Sequence, residues 1–148
     1  MRSPTAFVVV VAVGLLAVCA EAFAGDEVEV RIDTVLATNS GQEIDHRLIK
    51  MKRQLSSFRY SSFRVMQAES RRVAWGVPLT FALPGGRALQ VLPREFKDDW
   101  LVLRVQLMRE TESVMDTRLK LRNRGTVFVG GPRYDQGVLI ISITAGTD

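Results

Sequence analysis

Gly137-Val138-Leu139-Ile140-Ile141-Ser142-Ile143-Thr144-Ala145 is the stretch that decides the fold. In an extended chain Leu139, Ile141 and Ile143 point to one side, and Val138, Ile140, Ser142 and Thr144 to the other. One side is wholly apolar and the other mostly so. A strand of that kind sits in the middle of a sheet and is covered on both faces. Its β-branched residues suit a pleated surface.

The same two-residue rhythm recurs along the chain. Val28, Val30 and Ile32 alternate with Glu29, Arg31 and Asp33, and the strand continues through Val35 and Leu36 until Asn39-Ser40-Gly41 breaks it. Both ends of the mature chain expected after leader cleavage are therefore strand-like, and the first strand is expected beside the last. From Phe58 onward the rhythm predicts strands over Arg59 to Ala68 and Arg71 to Trp75, parted by Glu69-Ser70. Leu79, Phe81 and Leu83 lead to a Pro84-Gly85-Gly86 turn. Leu89 and Val91 carry the return strand, which Pro93 is expected to end. Leu101, Leu103, Val105 and Leu107 alternate with Arg104 and Gln106 between Trp100 and Met108. After a polar break from Glu110 to Ser113, the residues Met115, Thr117, Leu119 and Leu121 alternate with Asp116, Arg118, Lys120 and Arg122. Asn123-Arg124-Gly125 is a turn, and Val127 and Val129 lead to Gly130-Gly131-Pro132.

Only one segment carries a helical period. Ile44, Leu48, Met51, Leu55 and Phe58 form one stripe, with Glu43 and Asp45 at its start and Arg47, Lys50, Lys52 and Arg53 further along. Acid first and base last matches the helix dipole. The expected architecture is mainly β: an antiparallel β-sandwich or partly open barrel, with one amphipathic helix after the first strand. Connections after residue 58 are too short for parallel crossovers.

Length and composition agree with this. The 148 residues, 47% hydrophobic and 24% charged, fit one ordinary globular domain. Residues 1–24 read as a leader rather than as part of the fold. Arg2 is followed by an apolar run from Ala6 to Ala20, and Ala22-Phe23-Ala24 has the small-residue spacing of a signal-peptidase site. The rival reading, a membrane anchor, has a run that is short for a span of about 20 residues. Leu16-Ala17-Val18 before Cys19 resembles a bacterial lipoprotein box, from which Val18 departs. Cleavage after Ala24 would leave residues 25–148 as a single exported domain, periplasmic or secreted, without cysteine and without a disulfide framework.

Chemistry-bearing motifs are sparse. His46 is the sole histidine, and no nucleophile-elbow pattern accompanies it. Glu43 and His46, three apart, could offer two ligands to a metal, but a dipole-matched, solvated first turn is the plainer account of Glu43, Asp45 and His46. Asp98, Asp99, Glu110, Glu112 and Asp116 are candidates for a two-carboxylate hydrolase, and all fall in breaks or on polar strand phases. Gly130-Gly131-Pro132 lacks the lysine and following helix of a phosphate loop and reads as a tight or bulged turn. No metal or cofactor is implied.

The basic residues are the more informative feature. The formal charge is +4, and sixteen of the twenty basic residues are Arg. Arg118, Lys120 and Arg122 share one strand face, with Arg124 at the following turn. Arg47, Lys50 and Arg53 form a row on the helix, and Arg59, Arg64, Arg71 and Arg72 follow. Arg presents paired donors that fit phosphate and carboxylate. If these rows converge, they would hold a polyanion such as a lipid head group, lipopolysaccharide, an acidic polysaccharide or an acidic protein. A solvated face that keeps edge strands from pairing is the plainer account. Nucleic acid is not expected for an exported chain with little aromatic interleaving.

The run "RGTVFVGG" between two strands, within Leu119 to Ile143, is similar to the hairpin pattern G-x-T-x-x-x-G-G of outer-membrane secretins. It spans about 25 residues and assigns no residue a role. The whole chain also resembles short exported bacterial β-domain proteins of unassigned function. The expectation is a non-enzymatic binding or accessory module of the cell envelope, acting through a strand edge or an Arg-rich face. Its partner would be an envelope protein or anionic envelope component, with peripheral membrane contact allowed and the oligomeric state open. The alternatives are a subunit of a secretion or surface-fibre assembly, and a small carboxylate- or metal-dependent hydrolase.

Overall fold

Eight strands and one short helical segment make up residues 27–148, the part described by the computed structural model. The expected leader and Cys19 lie outside the described residues. Two four-stranded antiparallel sheets face one another. Sheet A has the order β2-β1-β8-β7 and sheet B the order β3-β4-β5-β6, and neither closes into a barrel. Strand β1 spans Glu27–Thr38, β2 Ser62–Ala74, β3 Leu79–Leu83 and β4 Arg87–Lys97. Strand β5 spans Trp100–Arg109, β6 Glu112–Arg122, β7 Gly125–Tyr134 and β8 Gly137–Thr147.

The last strand is central, as its two apolar sides require. It lies between β1 and β7, with Ile32 opposite Ile143 and Val35 opposite Ile140. Its two sides enter two different cores. Ile141, Ile143 and Ala145 join Val28, Val30, Ile32, Phe81, Leu89, Val91, Leu101, Leu103 and Val105 between the sheets. Ile140 joins Val35, Ala37, Phe63, Leu48 and Leu55 on the far side of sheet A, under the helical segment. That far side is apolar only where Val35, Ala37, Val138 and Ile140 occur. Beyond them Glu29, Arg31, Asp33 and Thr144 make it polar and leave it uncovered by the helix.

The helical segment is shorter than its stripe predicts. A 3-10 helix covers His46–Met51 and one α-helical turn covers Lys52–Leu55. Ile44 precedes it, forming an isolated bridge with Phe63. Asp45 caps it, its carboxylate accepting the Arg47 backbone N–H at 3.0 Å. Leu48 and Leu55 are the buried anchors, at 3% and 1% exposure, so the stripe marks the right face even though regular α-helix is brief.

Three strand boundaries differ from the sequence reading, each for a local reason. The expected break at Glu69-Ser70 is absent, and β2 is continuous from Ser62 to Ala74. This strand is an edge, so polar residues extend along it in water: Glu69 pairs with Arg71, and Ser70 Oγ donates to Glu29 at 3.1 Å. The irregularity lies instead at Met66, where β1 pairs Thr34 with Gln67 and then Val35 with Val65. This bulge turns Phe63 and Val65 toward the helix while Val73 faces the core between the sheets. Pro93 does not end β4. The chain bulges at Arg94 and pairs on to Lys97 opposite Trp100. Gly130-Gly131-Pro132 is likewise a bulge inside β7, where a Cβ on Gly131 would lie 2.8 Å from the Leu139 carbonyl oxygen.

Short links carry the chain between sheets. Trp75 to Pro78 joins edge β2 to edge β3, and Asn123-Arg124 joins edge β6 to edge β7. The second link is pinned to β8: Asn123 Nδ2 donates to the Thr147 carbonyl at 2.9 Å, and the Thr147 N–H donates to Asn123 Oδ1 at 2.8 Å. Edges β6 and β7 therefore share one flank of the sandwich.

Candidate functional site

The hairpin of β5 and β6 carries a row of cations on one face. Its register places Trp100 opposite Arg122, Val102 opposite Lys120, Arg104 opposite Arg118 and Gln106 opposite Asp116. These residues share the outer face of sheet B because Leu101, Leu103, Leu119 and Leu121 take the opposite phase, toward the core. The Lys120 ammonium stands 5.1 Å and the Arg122 guanidinium 4.9 Å from the centroid of the Trp100 ring. Each such contact contributes about 0.5–1 kcal/mol at an exposed site. The ring thus holds two flexible cations above the sheet.

Three acids border this array: Glu95 and Asp98 line the depression it shares with Arg118 and Lys120, and Asp116, further along β6, is already engaged. Asp116 accepts from Arg104 Nε at 3.0 Å and from a terminal Arg104 nitrogen at 2.5 Å, with Gln106 Nε2 at 3.2 Å. The hydrogen bonds from Arg104 hold the Asp116 carboxyl below the usual carboxylate range and push the Arg104 guanidinium up. Among the described residues, Arg118, Lys120 and Arg122 have no carboxylate within salt-bridge reach. Arg118 moreover faces Arg104 directly, a like-charge pair across strands. Glu95, Lys97, Asp98, Trp100, Val102, Arg118 and Lys120 line an open depression of about 430 Å3.

The other sequence candidates lie elsewhere. Arg47, Lys50 and Arg53 ride on the helical segment, outside sheet A, so the sandwich separates them from the β6 row. Arg47 is also engaged, reaching Asp45 Oδ2 at 2.8 Å. Lys50 and Arg53 are exposed and make no ion pair among the described residues. Arg124 occupies the β6–β7 turn, 3.4 Å from Asp148 Oδ1, beside a mixed-charge depression lined by Glu29, Arg31 and Arg72. Arg72 reaches Glu29 at 3.3 Å, and Arg71 lies over the Phe81 ring at 4.9 Å. The rows therefore do not converge, and the β6 row differs from the others in sharing one sheet face with an aromatic ring.

The catalytic candidates are equally dispersed. The His46 side chain is 88% exposed, and its Nδ1 is 3.8 Å from Asp45 Oδ1. Asp45 itself is bound by Arg47, whose hydrogen bonds hold its carboxyl far below the usual range. Among the described residues, no three His, Cys, Asp or Glu side chains gather as a metal site would need. Asp98, Asp99 and Glu110 take positive φ in two-residue turns, a conformation that the short side chain of Asp tolerates better than that of Glu. Sequence reasoning missed Trp100. Its signal was available in the hairpin register, since pairing Leu101 with Leu121 sets Trp100 beside Arg122.

No protein-family model matches the chain, and no curated protein matches it in sequence. Among the described residues no helix is long and apolar enough to cross a membrane.

Proposed function

We propose that this chain is a non-enzymatic binding module of the bacterial cell envelope that engages an anionic partner through the outer face of β5 and β6. One observation carries the reading: Arg118, Lys120 and Arg122 stand in a row on one strand face, the latter two over the Trp100 ring, and make no ion pair among the described residues. Unpaired cations at alternate positions of a strand repeat about every 7 Å, a spacing that suits successive charges of a polyanion. Trp100 adds an amphipathic ring of the kind enriched at membrane–water interfaces. Phosphate- and carboxylate-bearing partners share the chemistry that this face offers.

Vesicles containing phosphatidylglycerol, and separately polygalacturonate, serve as probes in titrations across salt. Binding by the wild type falls steeply as ionic strength rises, because exposed charges are screened over about 10 Å at 0.1 M. Lys120→Glu with Arg122→Glu abolishes binding, whereas Lys50→Glu with Arg53→Glu leaves it unchanged. Binding to neither probe, or binding indifferent to salt and to the first variant, overturns the proposal.

A further inference from the structure

We propose that the flank formed by β6 and β7 is a two-fold interface at which a second copy of this chain docks, edge strand to edge strand. Sheet A ends at β7 and sheet B at β6, and the two-residue link Asn123-Arg124 holds these edges on the same side of the sandwich. Each has one strand neighbour among the described residues, so the backbone on its outer side is open to a further strand.

The residues of β6 select a second copy as that strand. From Met115 onward β6 pairs regularly with β5, the bulge at Val114 lying before this stretch. Its acid precedes its bases: Asp116, then Arg118, Lys120 and Arg122. An antiparallel copy related by a two-fold axis at Thr117 brings Asp116 opposite Arg118 twice. On the core side it brings Met115 opposite Leu119 twice, and both are half-buried side chains that already pack against the core. Arg118 faces the like charge of Arg104 within its own hairpin and makes no ion pair among the described residues. A second copy supplies one, next to the existing Arg104–Asp116 pair.

Strand β7 suits self-pairing for a different reason. Gly125 to Pro132 carries no charge, and its regular stretch with β8 runs from Gly125 to Gly130. Reversal about Phe128 places Val127 opposite Val129, continuing the half-buried valines that line the core. An aromatic pair across the axis is favourable. The other flank lacks this character. On β2 Arg71 is paired with Glu69 and Arg72 with Glu29 inside one copy, leaving Arg64 without an acid among the described residues, and β3 has five residues. Charges on an edge ordinarily repel strands at large. Here the arrangement of β6 repels most strands and attracts its own reverse, which is specificity by complementary and opposing charge together.

The interface goes beyond the anionic-partner reading and does not rest on it. Sedimentation velocity of the chain, expressed from its full sequence and followed over a concentration series, reports the mass. The wild type converts from monomer to dimer as concentration rises. Arg118→Asp sets Asp against Asp116 at both ends of the axis, and Asp116→Arg sets Arg against Arg118. Each weakens dimerisation at least about tenfold while circular dichroism stays that of the wild type. Mixing the two variants restores a dimer, because each then meets its opposite charge. A wild type that is monomeric at every concentration overturns the proposal, as does a dimer indifferent to Arg118→Asp or variants that stay apart when mixed.

Discussion

Gly137 lies directly against Ala37: a Cβ built on Gly137 would collide with the Ala37 carbonyl oxygen and sit 2.8 Å from Thr38 Cγ2. The glycine opens β8 where it runs closest to β1. Its backbone conformation is one any residue adopts, so space alone demands glycine here. Gly137→Ala should therefore destabilise the fold by about 1–3 kcal/mol, the usual cost of overpacking. Urea titration followed by tryptophan fluorescence measures it. Gly130→Ala is the matched control, since nothing lies within 4 Å of a Cβ there.

Ser142 and Thr144 are neighbours on the same side of β8 with opposite hydrogen-bond accounts. Ser142 is buried at 1% exposure, and its Oγ has no partner. Thr144 Oγ1 and Thr126 Oγ1 lie 2.7 Å apart and satisfy one another. Ser142→Ala should leave stability unchanged or raise it by up to about 1 kcal/mol, because a desolvated, unsatisfied hydroxyl is removed. Thr144→Val keeps the shape but strands Thr126, and should cost about 1 kcal/mol. The same denaturation series separates the two.

Most of this architecture is legible in the two-residue rhythm. Ile141 and Leu103 point inward from facing sheets, as their phases require, and both are 0% exposed. The neighbouring of β1 and β8 could be read from their matching apolar patterns. What escaped was decided by pairing. Glu69 and Ser70 look like a break until an edge strand gives them water and partners. Pro93 looks like a terminator until a bulge at Arg94 absorbs it. The separation of the basic rows was illegible for the same reason, since which face of which sheet the helix covers is set by tertiary packing. Trp100 became part of the candidate site only through its register with Arg122.

The core between the sheets should tolerate truncation poorly. Leu103→Ala and Ile141→Ala each remove a fully buried side chain with close neighbours on the facing sheet. Each should cost about 2–5 kcal/mol, the lost transfer energy plus the cavity left behind. Shifts of the urea midpoint without a change in slope would show that the folded ensemble stays intact.

Acid should act first through Asp45 and Asp116. Hydrogen bonds from Arg47 and from Arg104 lower these two carboxyls in the folded chain. A lowered native value means that the stabilisation is fully present above the unfolded Asp value of about 3.9 and is lost as pH falls through the native values. Carboxyl-carbon NMR should show both groups still ionised below that unfolded value. Asp45→Asn should flatten the dependence of stability on pH in this acid range and leave the region above it parallel to wild type.

The pairing of β1 with β8 sets when this chain can fold. Val28 lies opposite Thr147, so the middle of sheet A is stitched from the earliest and the latest described residues. A chain that stops short of Leu139 has β1 and β7 but nothing to join them. Sheet A cannot close before β8 has been made, and loop closure over more than a hundred residues makes that pairing slow. A truncation of β8 would remove the joint between β1 and β7.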